Sequence, residues 1–463
     1  MRVYNTMTRG KEELVPVTPG EVRMYVCGVT PYDYSHIGHA RSAVAFDVIR
    51  RWLAHKSFRV TTVRNYTDVD DKIINRANQE AVSANEIAQR YIDAEARDME
   101  ALGVKLPTVA PKATEHIDGM IALIERLIAK GVAYVVDGDV YFEIRRFPPY
   151  GKLSGKNLED LLAGARVEVD ERKRDPRDFA LWKAAKPGEP SWPSPWGPGR
   201  PGWHVECSVM ATRYLGQPFD IHGGGTDLIF PHHECEIAQS EADRGAPFAK
   251  YWLHNGMVNF GAEKMSKSLG NTLTIRAMLE RHDREALRLW MLGTHYRNQL
   301  EWSEERVHES ARALSRLTRL VDDASALGAP APSVPTAFAG FDARFGAAMD
   351  DDVNTPQALA VLFDFARALS DARDRGLDTP DARAGFVAGV GELVRLARVL
   401  GLLDRDVAAG GPPAEVERLV AERVEARARR DFRRSDELRV EIQRLGWLVE
   451  DTPSGPRLTR KSG

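Results

Sequence analysis

Along residues 21–28 the apolar positions Val22, Met24 and Val26 recur every second residue, the period of a strand. A turn through Gly28, Thr30 and Pro31 follows, and the period then lengthens. Val44, Val48, Ile49 and Trp52 share one face of a helix expected over residues 42–55. The run FRVTTVRNY reads as a second strand. Strand, helix, strand is the crossover of a parallel sheet. Further helices are expected over about 85–102 and 114–130. Residues 131–200 break the pattern with short β-like runs (VAYVVD, DVYFEI) and the stretch KPGEPSWPSPWGPGRPGW. Proline there fixes φ and removes donors, so the region reads as an insertion. The sheet pattern resumes near Trp203, with FDIHGGG as a strand and glycine turn. From about Ala286 the chain reads as mostly helix, with Pro-rich breaks at 328–338 and 408–413 and a separate bundle over 340–402. The last fifty residues read as one charged helix, then LGWLVED and a tail.

Composition narrows the class. A chain of 463 residues suggests about three domains. No stretch approaches the ~20 apolar residues of a membrane span, and MRVYNTMTRGKEELVPV lacks the apolar core of a signal peptide. Three cysteines are too few for a disulfide scaffold. A reduced, cytoplasmic enzyme is expected, its thiols serving chemistry, metal binding or packing. The net charge of −3 excludes an overall basic nucleic-acid binder but allows a local basic patch.

Two motifs carry chemistry. His36-Ile37-Gly38-His39 lies after the first strand, where two imidazoles three apart would share a face beside a helix N-terminus. That terminus favours a triphosphate, and Gly38, without a β-carbon, lets a base or ribose approach. Lys264-Met265-Ser266-Lys267-Ser268 makes a phosphate clamp of two lysines with interleaved hydroxyls. Together, HIGH and KMSKS resemble the signatures of class I aminoacyl-tRNA synthetases. MYVCGVTPYDYSHIGHAR, RNYTDVDDKI, KRDPRDFALWK, GEPSWPSPWGPGRPGWHVECS, FDIHGGGTDLIFPHHE and EKMSKSLGN resemble the cysteinyl-tRNA synthetase family in particular. The resemblance runs over essentially the whole chain and is densest in the first 300 residues.

The resemblance implies an α/β fold: a Rossmann-like parallel-sheet catalytic domain with an insertion, a helical bundle, and a small C-terminal anticodon-binding module. The expected boundaries are 1–115 and 201–248 for the two halves of the catalytic domain, and 116–200 for a connective insertion near the acceptor end. A KMSKS-bearing stem-contact region over 249–305, a bundle over 306–403 and the terminal module over 404–463 complete the scheme. It also implies one zinc ion per subunit on Cys27, Cys207, His232 and Glu236. Thiolate, imidazole and carboxylate are ordinary zinc ligands. Spacing alone says less, since isolated cysteines are often core residues. Cys235, three residues from His232 and softer than Glu236, rivals it on spacing; Glu236 is kept as the ligand and Cys235 as a bystander.

By the same resemblance Cys27, Thr67, Trp203 and His222 line the amino-acid pocket, although packing alone would also account for Trp203. ATP, with magnesium, is expected on His36, Gly38, His39, Gly225, Asp227, Lys264, Ser266, Lys267 and Ser268. His36, His39, Lys264 and Lys267 are the expected catalytic residues, Lys267 foremost for phosphate contact. The implied reaction joins L-cysteine to ATP as cysteinyl-adenylate and then to the 3′ end of tRNA(Cys). Sulfur and oxygen analogues separate poorly by shape alone, so a soft metal would supply the selectivity. A monomer is expected. The basic run ERVEARARRDFRRSDELRVEIQRLGW is either a solvated helix or, by resemblance, part of the anticodon contact. Two other readings stand: a related ligase that passes cysteine to an aminosugar and lacks the terminal module, and a non-catalytic RNA-binding relative.

Overall fold

The computed structural model describes residues 1–156, 171–260, 263–264, 273–404, 414–429, 431–445, 447–452 and 455–460. The chain divides into two compact units. The first comprises Met1–Ile275, Met291–Ser303 and Ala343–Leu359, and the second Arg276–Trp290, Glu304–Asp342 and Ala360–Gly463.

The first unit opens with a hairpin that the periodicity does not announce, β1 (Arg2–Asn5) and β2 (Gly10–Glu13). Then come β3 (Glu21–Val29), α1 (Ile37–His55), β4 (Arg59–Tyr66), α2 (Asp71–Glu80), α3 (Ala84–Ala101) and α4 (Ile117–Ala129). Helix α1 starts five residues before the expected position 42, because the His36 side chain caps it. The crossover from β3 through α1 to β4 gives a parallel pair. The insertion is a four-stranded antiparallel sheet of β5 (Ala133–Val136), β6 (Asp139–Phe142), β7 (Phe179–Ala184) and β8 (Gly199–Pro201).

Trp203, where a return to sheet was expected, instead begins helix α5 (Trp203–Leu215). The chain continues through β9 (Phe219–Gly225), α6 (Glu234–Arg244) and β10 (Ala249–Asn255). The main sheet has the order β10-β9-β3-β4, with every pairing parallel. Val22, Met24, Tyr25 and Val26 are all buried, as suits a strand covered on both faces. Tyr25 joins a core with Val205 and Met210 of α5, whereas Met24 and Val26 line a cavity with Ala43 and Phe46 of α1. The glycines of FDIHGGG lie within β9 and make no turn. A β-carbon on Gly223 would stand 2.3 Å from the Phe46 ring, so close helix–strand packing requires glycine there.

Strand β11 (Val258–Phe260) pairs with β12 (Glu263–Lys264). Two helices, α7 (Ile275–Leu279) and α8 (Arg284–Leu292), precede β13 (Leu300–Glu301), which runs parallel to β11. The helical part comprises α9 (Glu304–Ser325), α10 (Phe341–Asp350), α11 (Thr355–Asp374) and α12 (Pro380–Val399). Residues 343–359, inside the expected 306–403 stretch, belong to the first unit. Asp352 shows why. Its carboxylate accepts from Tyr4 N at 2.8 Å, Tyr296 Oη at 2.8 Å and Arg297 Nε at 2.7 Å, all within that unit.

The single charged helix expected at the end is two, α13 (Ala414–Ala428) and α14 (Phe432–Arg444). Asp431 interrupts them by accepting from Arg434 N and capping α14. An antiparallel hairpin, β14 (Trp447–Thr452) and β15 (Gly455–Arg460), stands where LGWLVED and a tail were read. Val416, Leu419, Ala426, Leu438, Ile442 and Val449 give this module its own core. Among the described residues, no helix is long and apolar enough to cross a membrane.

Candidate active site

The carboxyl ends of β3, β4, β9 and β10 form one rim of the parallel sheet, where ligands of open α/β sheets bind. Cys27 stands near the end of β3, and Cys207 in the second turn of α5. His232 lies in a wide turn, Ile229–His233, and Glu236 follows in the first turn of α6. One ligand atom from each of these four lies within 4.8 Å of the others. The two sulfurs are 3.9 Å apart, Cys27 Sγ is 3.6 Å from Glu236 Oε1, and His232 Nε2 is 3.0 Å from the same oxygen. Cys207, His232 and Glu236 are buried, while Cys27 is partly exposed and gives the cluster its open side. Two thiols, an imidazole and a carboxylate at this closeness fit a tetrahedral zinc ion.

A second group overlaps the first: Cys27, His222, His233 and Glu236. His222 Nε2 donates to Glu236 Oε2 at 2.8 Å. His233 Nε2 is 3.3 Å from Cys27 Sγ, and its Nδ1 is 2.8 Å from His254 Nε2. His254 Nδ1 in turn lies 2.7 Å from Thr6 Oγ1. His204 Nδ1 is 3.0 Å from His232 Nδ1. His204, His233 and His254 were not singled out from the sequence; the His-His doublet in PHHE was the one available signal for His233. Only the first group uses both thiols. Cys235 is in neither, since its sulfur points to Tyr150 Oη at 3.2 Å.

The electrostatics follow from these contacts. Burial opposes ionisation of Glu236, yet His222 and His232 hold its carboxyl down at about 2. Burial also opposes charge on His232, but Glu236 and Cys207 raise it to about 10. The Cys207 thiol, disfavoured as thiolate by burial, is brought down to about 6 by hydrogen bonds from Cys27 and His232. Burial and the neighbouring Cys207 push the Cys27 thiol up. His204 and His254, lowered to about 3 by burial, are neutral. Burial pushes Cys235 upward, which keeps it an inert thiol. Cys235→Ala is therefore expected to retain stoichiometric zinc while Glu236→Ala does not, as measured by metal content of the purified variants.

The expected pocket residues fall around this cluster in different ways. Trp203 is 41% exposed and lies stacked on His232, with ring centroids 4.3 Å apart, so packing alone does not account for it. Thr67 is buried beside Asn65, whose Nδ2 donates to Thr67 Oγ1 at 3.4 Å. Asn65 Oδ1 accepts from Gly28 N at 2.9 Å. A β-carbon on Gly28 would stand 1.5 Å from the Asn65 carbonyl oxygen, so only glycine allows this approach of β3 to β4. His222 is fully buried and reaches the site through Glu236 rather than by lining an open surface.

On the same rim, His36 and His39 stack with centroids 3.8 Å apart at the start of α1. Gly38 N donates to His36 Nδ1 at 3.1 Å, and His36 N donates to His39 Nδ1 at 3.3 Å. With Nδ1 accepting in both rings, the neutral tautomers carry their protons on Nε2, as donors suited to phosphate oxygens. Gly225 ends β9, and Asp227 is exposed in the short turn that follows. Lys264 lies in β12; Ser266, Lys267 and Ser268 lie outside the described residues. The chain downstream is pinned to the HIGH segment, with Ile37 N donating to Leu273 O and Ile275 N to Ser35 O, both at 2.9 Å.

Residues 13–312 match the tRNA synthetases class I (C) catalytic domain, 344–404 the DALR domain, and 409–455 the cysteinyl-tRNA ligase anticodon binding domain. The cysteine–tRNA ligase of Geobacter sulfurreducens is 52% identical over 98% of both chains. That of Alkalilimnicola ehrlichii is 52% identical over the full length of both. The chain belongs to the cysteine–tRNA ligase family. Solved structures agree on the class I fold. A Mycobacterium tuberculosis methionyl-tRNA synthetase bound to methionyl-adenylate superposes with a TM-score of 0.62 at 16% identity, covering 82% of this chain and 90% of that one. A LeuRS–tRNA complex from Agrobacterium radiobacter gives 0.62 at 13% identity, over 84% and 86%. The anticodon-domain match separates this ligase from the aminosugar reading, which lacks that module.

Proposed function

We propose that this cysteine–tRNA ligase holds zinc on Cys27, Cys207, His232 and Glu236 and places the substrate cysteine beside Cys27, between the metal group and the HIGH helix. The convergence of those four ligand atoms within 4.8 Å, at the strand ends that also lead to HIGH, carries the reading. Zinc, when bound, supplies a soft Lewis acid that takes a thiol as thiolate and grips an alcohol poorly. His222 fixes Glu236 from behind, and Trp203 fixes the plane of the His232 ring.

The rest is positioning and charge. The cysteine carboxylate attacks the ATP α-phosphate, releasing pyrophosphate, and the terminal tRNA ribose then attacks the adenylate carbonyl to release AMP. No side chain forms a covalent bond to substrate. His36 and His39 offer donors to the phosphates beside the N-terminus of α1. Lys264 and Lys267 offset charge on the departing pyrophosphate, and magnesium accompanies ATP. Asp227, exposed beyond β9, accepts from ribose hydroxyls.

The testing experiment is aminoacylation of tRNA with cysteine against serine, with zinc content measured on the same preparation. Strong preference for cysteine together with about one zinc per chain at this site is the expected result; metal-free, fully active protein would refute it. A second expectation concerns the terminal module, which has its own core. Ending the chain at residue 404 should leave cysteine-dependent ATP–pyrophosphate exchange within about twofold and lower kcat/KM for tRNA charging about tenfold or more. Equal loss of both activities would contradict that division of labour.

A further inference from the structure

A second convergence of ligand-type side chains lies in the second unit and shares no residue with the Cys27 cluster. His282 sits in the turn between α7 and α8, Glu304 begins α9, and His308 follows one helical turn later. One ligand atom from each lies within 4.8 Å of the others. His282 Nε2 is 2.9 Å and His308 Nε2 4.0 Å from Glu304 Oε1, and the two imidazoles meet edge to face with centroids 5.4 Å apart.

Each part of this arrangement has a local cause. Glu304 and His308 are four apart on one helix and so share a face. His282 comes from a separate segment and is 6% exposed, so one side of the group is walled by protein. Glu304 is half-buried and His308 exposed, so water can complete a coordination shell from the other side. A pair between His282 and Glu304 alone is the plainer alternative, and it does not account for His308 turning its ring to the same carboxylate oxygen. Burial, reinforced by Arg281 and His308, outweighs the pull of Glu304 and lowers the basicity of His282. A neutral imidazole can donate to a carboxylate from one nitrogen and is also the form that binds a metal. Arg281 Nη1 approaches the other carboxylate oxygen, Oε2, at 3.8 Å, which leaves Oε1 directed at the two rings.

We propose that His282, Glu304 and His308 form a transition-metal site that fastens the turn before α8 to the first turn of α9. Two imidazole nitrogens and one carboxylate oxygen suit Zn²⁺, Co²⁺ or Ni²⁺, whereas Mg²⁺ and Ca²⁺ prefer oxygen ligands alone.

Cobalt separates this site from the catalytic cluster by its spectrum. Full-length protein, stripped with a chelator, is titrated with Co²⁺ and followed by absorption and by bound-metal analysis. An equivalent on thiolates gives intense sulfur-to-cobalt charge transfer in the near ultraviolet; an equivalent on His282, Glu304 and His308 gives only weak visible bands. The expected result is a second equivalent without charge transfer, weakened about tenfold or more in His308→Ala and in Glu304→Gln. His308 is exposed, and an unchanged charge-transfer band in that variant reports an intact fold. Added Zn²⁺ should raise the melting temperature of the wild type, beyond the catalytic equivalent, and not that of His308→Ala. Saturation of the wild type without any such equivalent would overturn the proposal. So would an equivalent that persists unweakened in both variants.

Discussion

Replacing Cys207 with serine should remove zinc from the catalytic cluster and lower kcat/KM for cysteine activation by about 10³-fold or more, with KM for ATP changed little. Cys207 is 1% exposed and stands 3.9 Å from Cys27 Sγ. Its thiol, at about 6, ionises near neutral pH, whereas a serine hydroxyl in the same place stays protonated and binds a soft ion weakly. A Lewis acid supplies several kcal/mol, and about 4 kcal/mol corresponds to the stated factor. ATP is insulated from the change because HIGH and KMSKS carry none of the four ligands. Metal analysis and ATP–pyrophosphate exchange at varied cysteine and ATP check both halves. A variant that kept its zinc and lost activity evenly toward both substrates would remove Cys207 from the ligand set.

Lys267→Ala should lower kcat for adenylate formation by about 10²–10³-fold, the usual loss when one fixed donor to a developing charge is removed. Lys267 itself lies outside the described residues, but the chain around it is tethered on both sides. Upstream, β12 pairs with β11; downstream, Leu273 and Ile275 bond to the backbone of the HIGH segment. Zinc content should not change, which separates this defect from the Cys207 one. Burst and steady-state measurements of adenylate formation check it, and a loss confined to cysteine KM would count against a phosphate role.

Some of this was legible in the chain itself. The alternation of Val22, Met24 and Val26, the stripe of α1 and the strand β4 specify a parallel crossover, because strand and helix periods are local properties of the backbone. HIGH and KMSKS were legible for the same reason, since each motif is one short contiguous run. Cys27, Cys207, His232 and Glu236 were reachable through resemblance, though not by spacing, which runs from residue 27 to 236 without a knuckle pattern.

Only the folded chain decided the rest. Cys235 and Glu236 are neighbours in sequence, yet one turn of α6 sends the thiol to Tyr150 and the carboxylate between two histidines. His233 and His254 meet because β9 and β10 pair in the register that sets His254 opposite Gly224, and a β-carbon on Gly224 would crowd the His233 ring. Residues 343–359 join the first unit because Asp352 accepts from Tyr4, some 350 positions away in the chain. Periodicity records which face of an element is apolar. It does not record strand order, register or the rotation of one helix against another, and those long-range quantities decide which side chains converge.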